Sequence, residues 1–128
     1  MNTSFEFFPP KTEKGKENLV ELTKKLSRLS PEYFSVTFGA GGSTREGTLE
    51  TCVSIKNIGQ KACPHLSGIG AFKDSISEIL DEYKEHGLMR IVVLRGDLPS
   101  GIGGLGDFPY ALDLVKFIKQ VEGNFSIE

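Results

Sequence analysis

Five short apolar runs recur along the chain, and segments with helical periodicity separate them. The runs are rich in β-branched and aromatic residues, which favours strands. They cover residues 4–8, 33–38, 62–67, 90–94 and 125–127. In each gap the apolar residues recur at intervals of three and four, which predicts amphipathic helices. The predicted order is therefore βαβαβαβα followed by a fifth strand.

The predicted helices carry recognisable stripes and end signals. The first helix has one apolar stripe formed by Leu19, Leu22, Leu26 and Leu29. Ser43 and Glu46 have the spacing of a capping box, which predicts the start of the second helix. His86 and Gly87 follow the third stripe, and Gly87 is placed to end that helix in a left-handed conformation while His86 complements the helix dipole.

The strands predict an α/β fold with a parallel sheet, because runs such as "IVVL" are apolar at nearly every position, as in sheets covered by helices on both faces. Two architectures fit this order of elements. One is a complete five-stranded doubly wound sheet. The other is the first half of a (β/α)8 barrel of the TIM type, which needs about 250 residues, so that this chain supplies four βα units and the start of strand five. Periodicity leaves both open.

Composition narrows the function classes. Of 128 residues, 38% are hydrophobic and 25% charged, and 15 basic residues against 17 acidic ones give a net charge of −2. No basic patch of the kind that non-specific nucleic-acid binding needs is visible. The N-terminus has no signal-peptide pattern, and no apolar stretch approaches the ~20 residues of a membrane span. With two cysteines, Cys52 and Cys63, at no metal-site spacing, we expect a cytoplasmic protein without a metal centre.

Polar side chains follow the predicted strands at their C-terminal ends. Glu6 lies in the first run, Thr37 ends the second, His65 ends the third, and Arg95 and Asp97 follow the fourth. In parallel α/β folds ligands bind at these strand ends, where βα loops and helix N-termini converge. The repetition over four consecutive strands predicts a ligand site there.

Two glycine-rich segments suggest nucleotide binding but do not establish it. "GAGGST" (39–44) precedes a predicted helix, whose N–H groups bind anions, but a tight turn explains its glycines equally well. "GIGGLG" (101–106) matches GxGxxG, yet "RGDLPS" separates it from its strand. A dinucleotide fingerprint needs its first glycine in the strand-to-helix turn, so we interpret this segment as a flexible βα loop.

Four motifs together resemble the methylenetetrahydrofolate reductase family: "SFEFFPPK", "SVTFGAGGSTR", "PHLS" and "RIVVLRGDLP". They follow the family's order along the whole chain. The resemblance implies a (β/α)8 barrel that holds FAD at the C-terminal ends of its strands, with residues 1–128 forming the N-terminal half of that single domain. It also implies hydride transfer from NAD(P)H through the flavin to 5,10-methylenetetrahydrofolate, which gives 5-methyltetrahydrofolate for one-carbon and methionine metabolism.

The resemblance also implies roles for particular residues. Glu6 matches the general acid that opens the folate's imidazolidine ring, and we expect the neighbouring phenylalanines to keep it protonated by disfavouring the charged form. Asp97 matches a carboxylate beside the flavin and pterin. The positions that match FAD contacts are Thr37, His65, Arg95, Gly96, Asp97, Tyr110 and Ala111. For Tyr110, core packing is the alternative, because it precedes an apolar helix stripe.

Some features depart from the family pattern. Ser67 stands where threonine is common, and the chain has about half the length of the family's barrel. We therefore expect little turnover from the isolated chain, and either homo-oligomerisation or pairing with a C-terminal half. Two alternatives remain: a non-catalytic nucleotide-binding module with a doubly wound sheet, and a truncated reading frame that does not fold alone.

Overall fold

The computed structural model describes residues 2–38, 45–97, 104–121 and 123–128. The strands are β1 (Ser4–Phe7), β2 (Tyr33–Val36), β3 (Ala62–Ser67), β4 (Arg90–Leu94) and β5 (Ser126–Ile127). The helices between them are α1 (Glu13–Ser27), α2 (Arg45–Asn57), α3 (Lys73–Glu85) and α4 (Ala111–Gln120). Each strand lies within its predicted apolar run, so the predicted order of elements is confirmed.

The strands are parallel and follow the order β1-β2-β3-β4-β5. A doubly wound sheet would reverse this order at a switch point, so that alternative is wrong. Sequential order is that of the N-terminal part of a TIM-type barrel, as predicted. Among the described residues, β1 pairs only with β2 and β5 only with β4, so the sheet is not closed.

The chain divides into two compact units, Met1–His65 and Leu66–Glu128. In the first unit, the core includes four fully buried residues: Phe34, Val36, Cys52 and Ile55. Strand β1 adds aromatic rings to it, because Phe5 and Phe7 stack on Phe34 with centroid distances of 5.8 and 5.5 Å. Stacked aromatic pairs contribute about 0.5–1.5 kcal/mol beyond the burial of their area. This contact fixes which face of β1 is apolar.

In the second unit, α3 buries an apolar stripe at helical spacing, formed by Ile76, Ile79, Leu80 and Tyr83. The helix ends at Glu85, and Gly87 then adopts the predicted left-handed conformation, with φ +70°. The N–H of Gly87 donates to the Lys84 carbonyl and that of Leu88 to the Tyr83 carbonyl. This pattern is a Schellman motif, which satisfies the last helical carbonyls and buries Leu88 near Tyr83.

The stripe predicted for α1 is only partly correct. Leu19 is buried, but Leu22 and Leu29 are 45% and 66% exposed. The helix instead buries Thr23, whose hydroxyl donates to the Leu19 carbonyl over 2.7 Å and so is satisfied without water. The buried face of α1 therefore includes Leu19 and Thr23, four residues apart. The spacing of the leucines alone did not predict the burial of Thr23.

Some predicted features lie outside the described residues, namely Ser43 of the capping box, all of "GAGGST" (39–44) and the first half of "GIGGLG" (101–103). Within the ranges that the structure describes, no helix has the length and apolar composition that crossing a bilayer requires.

Candidate functional site

Glu6 does not share a face of β1 with Phe5 and Phe7, so the expectation that these rings surround it is wrong. Strand residues alternate between faces, and the register pairs Phe5 with Phe34 and Glu6 with Ser35. The rings of Phe5 and Phe7 therefore occupy the apolar face of β1, and Glu6 occupies the opposite face. The side chain of Glu6 is 54% exposed. Phe5 and Phe7 therefore do not enclose this carboxyl group.

The described partner of Glu6 is His65, near the end of β3. The Glu6 Oε1 atom lies 3.2 Å from His65 Nε2, an ion-pair distance at which the alignment is outside hydrogen-bond limits. Ser35 on β2 lies beside both Glu6 and Cys63 in the register. His65 is two residues beyond Cys63 and so lies on the same face of β3. The sheet thereby brings together two of the predicted site residues.

His65 is buried, and its Nε2 atom is enclosed. Burial lowers the pKa of His65, and the Glu6 carboxylate opposes this effect by favouring the charged imidazolium. Because burial is the larger influence, the imidazole is neutral at pH 7. A neutral imidazole can donate or accept a proton at the carboxyl group, whereas an imidazolium can only donate.

Thr37, another predicted site residue, follows β2 on the same unit. Its N–H donates to the Phe7 carbonyl over 3.0 Å, and its carbonyl accepts from the hydroxyl of Thr48 in α2 over 2.7 Å. Its own hydroxyl is buried and makes no hydrogen bond to any described residue. A buried polar atom of this kind costs stability unless another group satisfies it. The Thr37 hydroxyl is therefore a candidate ligand contact.

In the second unit, backbone and side-chain bonds fix the segment after β4. The carbonyl of Arg95 accepts from the Ser67 hydroxyl over 3.0 Å and from the Ile69 N–H over 2.9 Å. Gly96 follows with φ +83°, a conformation that favours glycine. A Cβ atom at Gly96 would lie 2.0 Å from the Ser67 hydroxyl oxygen. Ser67 thus occupies the space that any side chain at Gly96 would need.

Arg95 is linked to the start of α4. Its Nε donates to the Pro109 carbonyl over 2.8 Å, directly before the predicted contacts Tyr110 and Ala111. The terminal guanidinium nitrogens of Arg95 make no hydrogen bond within the described residues. Tyr110 is 67% exposed, so core packing is not its role. Asp97 is exposed as well. The second unit therefore presents Arg95 and Tyr110 to solvent from two linked segments.

The described part of "GIGGLG" packs against the loop before α3. Gly106 has φ +70°, and a Cβ atom there would lie 2.3 Å from the Ala71 carbonyl oxygen. Asp107 then accepts from the Lys73 N–H through Oδ2 over 2.9 Å, which caps α3. Gly106 therefore serves close packing of two loops.

Sequence reasoning did not identify three supporting residues, namely Thr48, Asp107 and Pro109. The side chains of Thr48 and Asp107 form hydrogen bonds with backbone groups that are distant in sequence. Pro109 accepts a hydrogen bond through its backbone carbonyl. None of the three therefore belongs to a local sequence motif. Ser67 was noted only as a departure from the family. Among the residues described, no cluster of three or more histidine, cysteine or acidic side chains is arranged to hold a metal ion.

Comparison with known proteins assigns the chain to a family. The model of the family "Methylenetetrahydrofolate reductase" matches residues 1–128. The 5,10-methylenetetrahydrofolate reductase of Pectobacterium carotovorum is 44% identical over 99% of this chain and 42% of its own length. The protein of that name from Escherichia coli is 42% identical over 94% of this chain and 40% of its own length.

A plant relative extends the similarity. The Arabidopsis thaliana protein named methylenetetrahydrofolate reductase (NADH) 1 is 39% identical over 95% of this chain and 22% of its own length. The chain thus spans less than half the length of the curated relatives that it matches. Because the family model covers it from end to end, the chain belongs to the methylenetetrahydrofolate reductase family.

Proposed function

We propose that this protein takes part in the reduction of 5,10-methylenetetrahydrofolate to 5-methyltetrahydrofolate, with FAD as cofactor and NAD(P)H as electron donor, in cytoplasmic one-carbon and methionine metabolism. The observation that carries the proposal is the pairing of Glu6 with His65, 3.2 Å apart, where the family motif has its acid. A half-exposed carboxyl group beside a buried imidazole is suited to exchanging a proton with a bound substrate.

Each of the two units contains residues that are suited to contact a flavin. In the first, the enclosed Thr37 hydroxyl lacks a hydrogen bond to described residues, which a polar ligand atom would supply. In the second, Arg95 is oriented by Pro109 and keeps its terminal N–H donors for an anion such as a pyrophosphate. When bound, FAD supplies the two-electron carrier for the reaction. The proposed contacts are Thr37, His65, Arg95, Gly96, Asp97, Tyr110 and Ala111.

Glu6 and Asp97 have different proposed roles. Protonated Glu6 gives its proton to a ring nitrogen of the folate, the C–N bond of the imidazolidine ring breaks, and an iminium forms that is ready to accept hydride. Asp97, as a carboxylate, disfavours further negative charge nearby and accepts hydrogen bonds from pterin N–H groups.

The chain is proposed to supply residues 1–128 of one barrel domain. β1 and β5 each have one pairing edge without a described partner, and such edges are stable when another strand or subunit covers them. We therefore propose that activity needs a complementing C-terminal half or a second copy, and that the chain alone turns over slowly.

The proposal is tested by titrating FAD into the chain, alone and mixed with the remaining segment of the Pectobacterium carotovorum relative. We expect a saturable change in the flavin absorbance band and folate-dependent oxidation of NADH or NADPH in the mixture. Glu6→Gln should lower folate reduction at least 100-fold and leave flavin binding intact, while Glu17→Gln on the exposed face of α1 should change neither. Absence of flavin binding in both samples would contradict the proposal.

A further inference from the structure

A side chain on β3 anchors the segment that follows β4. Strand β4 ends at Leu94, and the carbonyl of the next residue, Arg95, accepts two hydrogen bonds. The Ile69 N–H donates one over 2.9 Å, and the Ser67 hydroxyl donates the other over 3.0 Å. A carbonyl oxygen has two lone pairs, so these two donors use its full capacity. Because a peptide group is planar, they fix the orientation of the whole Arg95–Gly96 peptide.

Gly96 makes this anchor both necessary and possible. Glycine has more backbone freedom than any other residue, so a segment that turns at a glycine needs other contacts to hold it. Gly96 turns the chain with φ +83°. The Ser67 hydroxyl oxygen lies where a Cβ atom at Gly96 would be, so only glycine lets the hydroxyl approach this closely. The residue that gives the segment its freedom therefore also admits its anchor.

The anchored peptide lies between two of the proposed flavin contacts. Arg95, on one side, has a second attachment, because its Nε donates to the Pro109 carbonyl over 2.8 Å. Asp97, on the other side, is exposed, and its side chain forms no hydrogen bond or ion pair with another described residue. The position of the Asp97 carboxylate is therefore set by the backbone that leads to it, and Ser67 supplies the side-chain bond that holds this backbone.

We propose that Ser67 is a positioning residue for Asp97: its hydroxyl holds the Arg95–Gly96 peptide and thereby sets the position of the carboxylate in the flavin site. The inference rests on the proposed function, in which Asp97 contacts the cofactor. Ser67 acts through the backbone and is not itself a proposed contact. A group that is held in place before a ligand binds loses less conformational entropy on binding, so the anchor should strengthen flavin binding.

The first test examines the anchor in the chain without cofactor, by amide ¹⁵N relaxation. In Ser67→Ala, the order parameters of Gly96 and Asp97 should be lower than in the wild type, because one of the two bonds to the Arg95 carbonyl is lost. Ser67→Thr keeps a hydroxyl and should retain the wild-type values. Unchanged order parameters in Ser67→Ala would overturn the inference.

Ser75→Ala is the matched control for both tests. It removes another serine hydroxyl that donates to a backbone carbonyl in the same unit, since Ser75 bonds to the Phe72 carbonyl over 2.8 Å at the start of α3. This variant should leave the order parameters of Gly96 and Asp97 as they are in the wild type. An equal fall in Ser75→Ala and Ser67→Ala would show that the effect is not specific to the anchor, and would contradict the inference.

The second test measures FAD affinity in the chain complemented with the remaining segment of the Pectobacterium carotovorum relative. Ser67→Ala should bind FAD about threefold to tenfold more weakly, the effect of about one hydrogen bond. Ser67→Thr and Ser75→Ala should stay within about twofold of the wild type. If Ser67→Ala does not fold, Ser67→Cys replaces it, because a thiol is a weaker donor than a hydroxyl. Wild-type affinity without the hydroxyl would refute the positioning role.

A double-mutant cycle with Asp97→Ala separates positioning of this carboxylate from a general structural role. If Ser67 acts through Asp97, the loss of FAD affinity caused by Ser67→Ala should be smaller when the carboxylate is already absent. Equal losses in both backgrounds would exclude action through Asp97. A wild-type protein that binds no flavin would instead contradict the proposed function, and the order parameters would still decide whether Ser67 anchors Asp97.

Discussion

The Nε atom of Arg95 donates to the carbonyl of Pro109 over 2.8 Å, across fourteen positions of sequence. This bond joins the end of β4 to the segment that begins α4, and it orients a guanidinium whose terminal nitrogens make no hydrogen bond to another described residue. Arginine can make this bond and bind an anion at once because its five donors lie in a fixed plane. A lysine has a single nitrogen and cannot do both with the same geometry.

Replacing Arg95 by lysine should therefore weaken flavin binding about tenfold, because the charge remains but the planar fork and its anchor are lost. The measurement is a titration of FAD fluorescence with the complemented protein. Arg28→Lys, at the exposed end of α1, is the control and should bind flavin as the wild type does. Equal affinity in Arg95→Lys would exclude a role for the guanidinium in binding FAD.

Replacing Gly96 by alanine should lower the free energy of unfolding by more than positive φ alone explains. Gly70 provides the matched comparison, since its φ of +75° resembles the +83° of Gly96 but a Cβ there meets nothing within 4 Å. Gly70→Ala should cost about 1 kcal/mol from backbone strain, and Gly96→Ala about 1–2 kcal/mol more through its clash with Ser67.

The Gly96 comparison is completed by a double variant, measured by urea denaturation. Adding Ser67→Ala to Gly96→Ala should recover part of the loss, because the serine oxygen is the nearest atom to the new Cβ. Strictly additive effects of the two substitutions would show that the clash does not decide the cost.

Stability should fall as the pH drops through about 6.5, the ordinary pKa of histidine. Because burial lowers the pKa of His65 in the folded protein, the unfolded chain binds its proton at higher pH. The folded state then binds fewer protons between the two pKa values, so the free energy of unfolding decreases with decreasing pH in that window, by up to about 1.4 kcal/mol per pH unit.

This pH dependence is measured by urea denaturation at several pH values. His65→Gln should flatten the slope below pH 6.5, whereas His86→Gln should leave this contribution of His65 in place. A His65→Gln protein with the wild-type slope would show that another group dominates acid destabilisation.

Replacing Asp107 by alanine should destabilise the second unit by about 1 kcal/mol, because the carboxylate caps the Lys73 N–H at the start of α3. Asp81→Ala, on the exposed side of the same helix, is the control and should change the free energy of unfolding by less than about 0.5 kcal/mol. Hydrogen exchange of the α3 amides should locate the loss at the first turn. Unchanged exchange there would contradict the capping role.

The sequence predicted the elements well because each strand is a short apolar run, and segments with helical periodicity separate the runs. The first helix was less well predicted, since Thr23 can be buried once its hydroxyl bonds to the Leu19 carbonyl, and leucine spacing does not reveal that bond. Strand alternation already separated Glu6 from Phe5 and Phe7, yet proximity in sequence suggested a shared environment.

The contact of Glu6 with His65 depends on sheet register across β2, which no local pattern encodes. The register depends on which face of each whole strand is buried in the core and which faces solvent. For the same reason, the sequence predicted which strand ends are polar but not which polar side chains meet. Backbone acceptors such as the Pro109 carbonyl have no side-chain signal at all.

The sequential order of the strands has a consequence for synthesis on the ribosome. Ser4 pairs with Tyr33, Phe34 with Ala62, and Arg90 with Ser126, so each new strand joins one that emerged shortly before it. Nascent chains of this kind can acquire structure stepwise from the N-terminus, because each of these pairings joins neighbouring strands along the chain. Each early strand thereby gains one pairing partner soon after it emerges during translation.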